Sequence, residues 1–169
     1  VSKALFLKER PPQEEVIAIF DRIKEIWQTH VMIPPPSAGK TSAFEALQML
    51  PASVNQQVVN WVLKNRNKNR NIALLFEASR RLVSTQPEEA AYWYLVALRR
   101  IRYDLARCGD KTLGSIPKFW NGYGLRRQGD DGAIINLVDQ QALLRAAKRL
   151  QRNWAEEVPV SMMPWQYCE

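Results

Sequence analysis

The stretch Gln86–Cys108, QPEEAAYWYLVALRRIRYDLARC, decides the fold. Ala91, Tyr94, Leu95, Leu98, Ile101 and Leu105 recur at three- and four-residue spacing, which puts them on one face of a helix. Trp93, Val96 and Ala97 widen that face, so neighbours should cover much of the helix. Thr85 suits an N-cap and Glu88 stands three residues on, the spacing of a capping box. Pro87 falls in the first turn, where a missing N–H costs little, and Glu88 and Glu89 oppose the positive end of the helix dipole. Gly109 after Arg107 and Cys108 suits a helix stop. About 22 residues at ~1.5 Å each span roughly 33 Å, enough to cross a small domain.

The polar side of this helix carries Arg99, Arg100, Arg102 and Arg107. It reads either as a solvated face, with Arg100 and Asp104 paired at i,i+4, or as a basic stripe that receives an acidic partner. The whole chain has 169 residues and a net charge of +7, the proportions of a single globular domain. Residues 64–152 hold 18 of the 24 basic and 8 of the 17 acidic side chains, a local excess of +10. Such an excess attracts nucleic acid, acidic lipid or an acidic protein. No run of apolar residues is long enough to span a membrane. Val1 rather than Met opens the sequence, so the lack of a visible signal peptide does not argue for the cytoplasm. A disulfide between Cys108 and Cys168 would close a loop of about 60 residues, worth ~4 kcal/mol in the chain-entropy model; the alternative is two free thiols.

Working outward, residues 1–12 read as an N-terminal arm. Gln13–Thr29 has Val16, Phe20, Ile23 and Trp27 on one helical face, and His30, the lone histidine, follows as a polar end residue. Pro34-Pro35-Pro36 breaks the chain before SAGKTS, Ser37–Ser42. Gly39-Lys40-Thr41 matches the end of a phosphate-binding loop, but Pro34 stands where the first glycine is needed and no strand precedes it. Ser42 and Glu45 instead form a capping box for a helix over Ala43–Leu50. Ser53 and Gln56 repeat that logic for a helix to about Lys64, with Val54, Val58, Trp61 and Val62 inward. KNRNKNRN, Lys64–Asn71, has no apolar position and is expected as an exposed turn or helix end. Asn71–Ser84 is a further helix, with Ile72, Leu75, Phe76, Leu82 and Val83 as its apolar set.

The junction Glu77–Leu98, EASRRLVSTQPEEAAYWYLVAL, resembles the joint between tetratricopeptide repeat units: a small-residue helix ending before a proline, then a helix bearing an aromatic and a small residue. The pattern occurs once, with no 34-residue period, and implies an antiparallel helix pair. After Cys108 six of the seven glycines fall in Gly109–Gly132. This loop also holds Phe119, Trp120, Tyr123, Arg126 and Arg127, the residue types that anchor binding surfaces; the alternative is that Phe119 and Trp120 plug the core and the arginines are solvated. Its Asp130-Asp131-Gly132 suits a tight turn, so the loop admits a short hairpin. A final helix is expected over about Asp139–Glu156, with Leu143, Ala147, Leu150 and Trp154 inward and Arg145, Lys148, Arg149 and Arg152 outward. The tail 158–169, with Trp165 and Tyr167, is expected to dock on the body. From Glu89 to about Glu157 the order of helix, Asn121- and Tyr123-bearing loop, Gly-Asp and Trp-bearing helix is similar to small exported bacterial proteins of uncharacterised function. That likeness implies a bacterial chain, periplasmic or secreted rather than cytoplasmic, and brings no catalytic residues.

These patterns predict an all-α single-domain bundle of about six helices with one long glycine-rich loop. One histidine and two distant cysteines do not make a zinc site, and no serine context accompanies His30. Of the paired carboxylates only Asp130-Asp131 falls outside a helix end, which leaves a cation or acid–base role as a minor reading against a plain turn. The expectation is a non-enzymatic module without metal or cofactor. It would hold an acidic protein, as an adaptor or a toxin-immunity protein does, through Phe119, Trp120, Tyr123, Arg126, Arg127, Arg99 and Arg102. The alternative is a nonspecific nucleic-acid-binding domain using the basic central region. The oligomeric state is not legible in the sequence.

Overall fold

A computed structural model of the chain describes residues 13–31, 36–37, 39–69, 71–107 and 114–159. The fold is all-α, as expected. Eight α-helices occur among the described residues: α1 Gln13–His30, α2 Ala43–Gln48, α3 Asn55–Asn65, α4 Ala73–Leu82, α5 Pro87–Arg107, α6 Ile116–Trp120, α7 Gln140–Arg152 and α8 Trp154–Glu157. A 3-10 turn, Ala52–Val54, precedes α3, and one hairpin pairs β1 Arg126–Gln128 with β2 Ile134–Asn136. The count exceeds six because α6 and α8 are single turns that periodicity over a longer window does not register. No helix among the described residues is long and apolar enough to cross a membrane.

The long helix α5 is central, packing chiefly against α4 on one side and α7 on the other. Its first turn is set by Gln86, whose carbonyl accepts from the Ala90 N–H at 2.9 Å, and not by Thr85, whose N–H closes on the Leu82 carbonyl of the preceding turn. Ser79 on α4 donates its hydroxyl to the Ala90 carbonyl at 2.7 Å, and Ala78, Ala90, Ala91 and Ala97 are all buried, so the two helices approach closely. The antiparallel pair expected from the Glu77–Leu98 junction is therefore present.

The most enclosed helix is α4. Nine of its ten residues are buried, Arg80 being the exception. The sequence suggested one apolar face, but α2, α3, α5 and the segment after α6 surround this helix. A helix buried all round has to satisfy its polar residues internally. The Ser42–Glu45 capping box forms as expected, with the Ser42 N–H donating to Glu45 Oε2 at 3.0 Å and the Glu45 N–H to Ser42 Oγ at 3.2 Å. The Ser53–Gln56 box does not. The chain enters α3 through the 3-10 turn behind Pro51, and α3 has no side-chain cap. In α7, Asp139 caps by accepting from the Ala142 N–H at 2.6 Å. The buried stripe is Ala142, Ala146 and Leu150, while Trp154, expected inward, is 38% exposed because the helix breaks at Asn153. The arm 1–12, Cys108, Cys168 and the tail from residue 160 lie outside the described residues; of the segment expected to dock, Val158 is buried.

Gly124 fixes the path from α6 to the hairpin. It has φ +70°, and a Cβ there would stand 2.6 Å from Arg80 Cβ and 2.8 Å from Arg80 Cα. Gly124→Ala combines a left-handed backbone with a collision against a helix backbone. It should destabilise the fold by about 2–4 kcal/mol. Gly39→Ala, whose Cβ meets nothing within 4 Å, should change stability by less than about 1 kcal/mol. Urea denaturation of the two variants checks this, and equal midpoints would remove Gly124 from this role.

Candidate functional site

The segment after α6 divides into a buried base and an exposed arm. The base is aromatic. Trp120 is 1% exposed and stacks on Phe76 with ring centroids 4.5 Å apart and planes 5° apart. Phe44 meets Trp120 edge-on at 5.4 Å, and Tyr123 does so at 5.1 Å. Half-buried Phe119 packs against the same ring at 4.8 Å. The Tyr94 hydroxyl accepts from the Gly122 N–H at 2.9 Å and lies 3.4 Å from Asn121 Oδ1, which ties this turn to α5. Leu125 and Val138 are buried where the arm leaves the body.

Charge crosses beneath this base. Glu77 is fully buried and takes Arg80 Nη2 at 2.6 Å, Arg80 Nε at 2.8 Å and Arg81 Nε at 2.9 Å. Arg81 uses its remaining N–H groups on the carbonyls of Leu47, Leu50 and Pro51 and on Asn55 Oδ1, at 2.6–3.3 Å. All of its donors are thereby engaged, and it closes the C-terminal end of α2. Burial lowers its pKa, with Glu77 acting against that effect. The Tyr123 hydroxyl donates to Glu77 Oε2 at 3.2 Å and accepts from Gln48 Nε2 at 2.6 Å. Its pKa is pushed up to about 12, by burial first and then by the Glu77 carboxylate.

A second buried arginine, Arg100, lies on the face expected to be solvated. It is 1% exposed and donates to the carbonyls of Glu157 and Arg66 and to Asn67 Oδ1, at 2.6–2.7 Å. Burial lowers its pKa to about 10, with Glu157 opposing. Arg66 pairs with Glu157 at 2.8 Å and stands 5.3 Å from the Trp93 ring. Arg66 and Asn67, in the stretch read as an exposed turn or helix end, thus receive Glu157 of α8 and Arg100 of α5. Arg107 pairs with Asp104 and covers the Tyr103 ring, so the basic stripe on α5 reduces to exposed Arg99 and Arg102. Arg145 and Arg149 of α7 pair with Glu88 and Glu89 across a groove of about 270 Å³.

The arm is the hairpin. Arg126 faces Asn136, Arg127 faces Ile135 and Gln128 faces Ile134, and all six residues are exposed. The turn closes through Gly129 N–H to Ala133 O at 2.7 Å and Gly132 N–H to Gly129 O at 2.9 Å, with Gly132 at φ +81°. Asp131 accepts from the Ala133 N–H at 3.0 Å and so organises its own turn. Of the residues expected to meet a partner, Arg126 and Arg127 stand exposed on the arm. Phe119 and Tyr123 are half-buried in its base, and Trp120 is interior. Arg99 and Arg102 belong to α5, outside the arm and its base. The sequence reading ended at Gly132 and missed Ile134 and Ile135, 63% and 38% exposed. The signal was there: Asp-Gly flanked by RRQ on one side and the β-branched pair on the other. The sequence matches no family model, no curated protein and no solved structure, so neither resemblance is joined by a family match.

Base and arm should separate in mutants. Trp120→Ala should cost about 3–5 kcal/mol of stability, whereas Arg127→Ala should stay within about 0.5 kcal/mol. Thermal denaturation reads both, and a stable Trp120→Ala protein would contradict the buried placement. Tyr123→Phe should cost roughly 1–2 kcal/mol at neutral pH, through its two hydrogen bonds. An unfolded tyrosine ionises near pH ~10, so from there to about 12 the folded state keeps a proton that the unfolded state releases. This contribution is complete below ~10 and declines as pH rises through that window. Urea midpoints should therefore fall less steeply across it in Tyr123→Phe than in wild type.

Proposed function

We propose that this chain is a non-enzymatic protein-interaction module, of the adaptor or toxin-immunity kind, in which a rigid helical body presents the hairpin arm to an acidic partner. One observation carries the reading: all six strand residues are exposed, on both faces, while Trp120, Leu125 and Val138 beneath them are buried. Burial at the base limits the ordering cost that a loose loop would meet on binding. Arg126 and Arg127 supply positive charge, and Ile134 and Ile135 supply apolar area beside it. Arginine next to apolar surface is a composition typical of interface centres.

Less supports the nucleic-acid alternative. Trp120 is not available to stack on a base, and two of the four basic residues on α7 are engaged by Glu88 and Glu89. The deciding experiment is affinity capture from the source lysate after nuclease treatment, with wild type and Arg126→Ala/Arg127→Ala side by side. Wild type should retain an acidic protein that the double variant binds about tenfold more weakly when the purified pair is titrated. Equal binding by both would remove the arm from the interface. Recovery of nucleic acid alone, weakening steeply with salt, would favour the alternative.

A further inference from the structure

One edge of the hairpin is unpaired among the described residues, and it is the edge that carries the arginines. The Leu137 N–H bonds the Leu125 carbonyl at 2.8 Å, and the Gly129 N–H bonds the Ala133 carbonyl at 2.7 Å. Bonded rungs alternate in an antiparallel pair, so Arg127 and Ile135 form the rung between these two. The N–H and C=O groups of Arg126 and Gln128 therefore point away from β2. No other strand among the described residues lies beside β1, and these outward groups take no other backbone hydrogen bond there. An edge of this kind is a template for an added strand. Side chains alternate along β1, so Arg126 projects to one face of the ribbon and Arg127 to the other. The Arg126 stem lies against the turn at Gly122, where a Cβ would stand 2.9 Å from its Cδ. Beyond Gln128 the chain turns, and Asp130 and Asp131 reverse the sign of the charge.

We propose that the acidic partner docks through an extended segment that adds to the β1 edge as a third, antiparallel strand. This inference rests on the reading of the hairpin as the binding arm and names the kind of segment it takes. Backbone bonding at Arg126 and Gln128 sets the register, and charge sets the composition. A residue directly opposite another in a sheet shares its face. Two consecutive carboxylates therefore meet Arg126 on one face and Arg127 on the other. Toward the turn the segment needs a neutral or basic residue, because Asp130 and Asp131 repel a further carboxylate. In an antiparallel strand that residue precedes the acidic pair. The outer edge of β2 has no neighbouring strand among the described residues either, but it presents Ile134 and Asn136 and no cation. Charge complementarity thus selects β1. Two outward residues supply few backbone bonds, so the segment by itself binds weakly, and salt weakens its exposed ion pairs further.

The probe is the acetylated and amidated peptide Thr-Lys-Val-Thr-Glu-Glu-Val-Thr, titrated into the full chain and followed by NMR. Its second threonine pairs with Gln128 and its second glutamate with Arg126. Half-saturation should fall at about 0.1–1 mM peptide in about 50 mM salt. In the complex the Arg126 and Gln128 amides should exchange with solvent severalfold more slowly. The Arg127 amide, already on the rung with Ile135, should change little. Proline in place of the second threonine keeps every charge of the peptide and should weaken binding at least about fivefold. Gln128→Pro removes an N–H that β2 does not use and should do the same from the protein's side. Asn136→Pro, on the far edge, should bind within about twofold of wild type. A peptide that does not saturate by about 5 mM overturns the proposal, as does binding that neither proline weakens, or exchange slowed only outside β1. The outcomes separate the two readings. An acidic protein captured through Arg126 and Arg127 that Gln128→Pro still binds like wild type sinks strand addition and leaves the binding arm standing. Capture indifferent to all of these substitutions sinks both.

Discussion

The Glu77 carboxylate is the constraint on which the structure depends. It lies fully inside the molecule on the most enclosed helix, among Arg80, Arg81 and the Tyr123 hydroxyl. A lone buried carboxylate would be strongly unfavourable; surrounded by these donors it becomes a junction. Through Arg81 it reaches the carbonyls that end α2, and through Tyr123 it reaches the base of the hairpin. Three segments distant in sequence are thereby held to one atom group. Apolar packing alone tolerates sliding, whereas directed hydrogen bonds from a planar guanidinium fix position and angle.

The hairpin arm depends on that junction. A ribbon of two three-residue strands has little stability by itself, since isolated hairpins are marginal in water. Here its ends are set by buried Leu125 and Val138, and its approach by the stacked Trp120–Phe76 pair and by Gly124 against Arg80. The body thus supplies the order that the arm lacks. The same arrangement leaves arginines on the arm free of the internal network that engages Arg66, Arg80, Arg81, Arg100 and Arg107. Five of the 18 basic residues in the central region are thus engaged inside the protein.

Local patterns were legible in the sequence; identities of burial were less so. The Ser42–Glu45 box, the Asp139 cap and the α4–α5 pairing follow from rules acting over three or four residues, and they formed. Arg100 shows where such rules stop. On α5 it lies three, four and seven residues from Ala97, Val96 and Trp93, on the side those residues widen, but periodicity does not name the partners that a buried guanidinium needs. Its burial is decided by residues 33 to 57 positions away, which offer it two carbonyls and an amide oxygen. Arg81 is the same case on α4. Trp120 was legible both as a partner-facing anchor and as a core plug; the stack on Phe76, which comes from another helix, decides for the core. Ile134 and Ile135 were legible as strand residues, yet they fell beyond the glycine-rich boundary that composition drew.

Two buried arginines therefore act as crossing ties at opposite ends of the bundle. Arg81 joins α4 to the end of α2, and Arg100 joins α5 to the α3–α4 connection and to α8. Each accepts a desolvation penalty that apolar residues would avoid, and burial lowers the pKa of both. What they gain is fixed geometry at loops and short helices that have few apolar residues to position them. The 3-10 turn, the single-turn α8 and the connection at Arg66–Asn67 all fall in this category. The hairpin arm, joined to Glu77 through Tyr123, is the outermost member of the same set. Its orientation relative to the helices is decided in part by hydrogen bonds made in the core, so the placement of an exposed hairpin depends on the buried charges of Glu77 and Arg81.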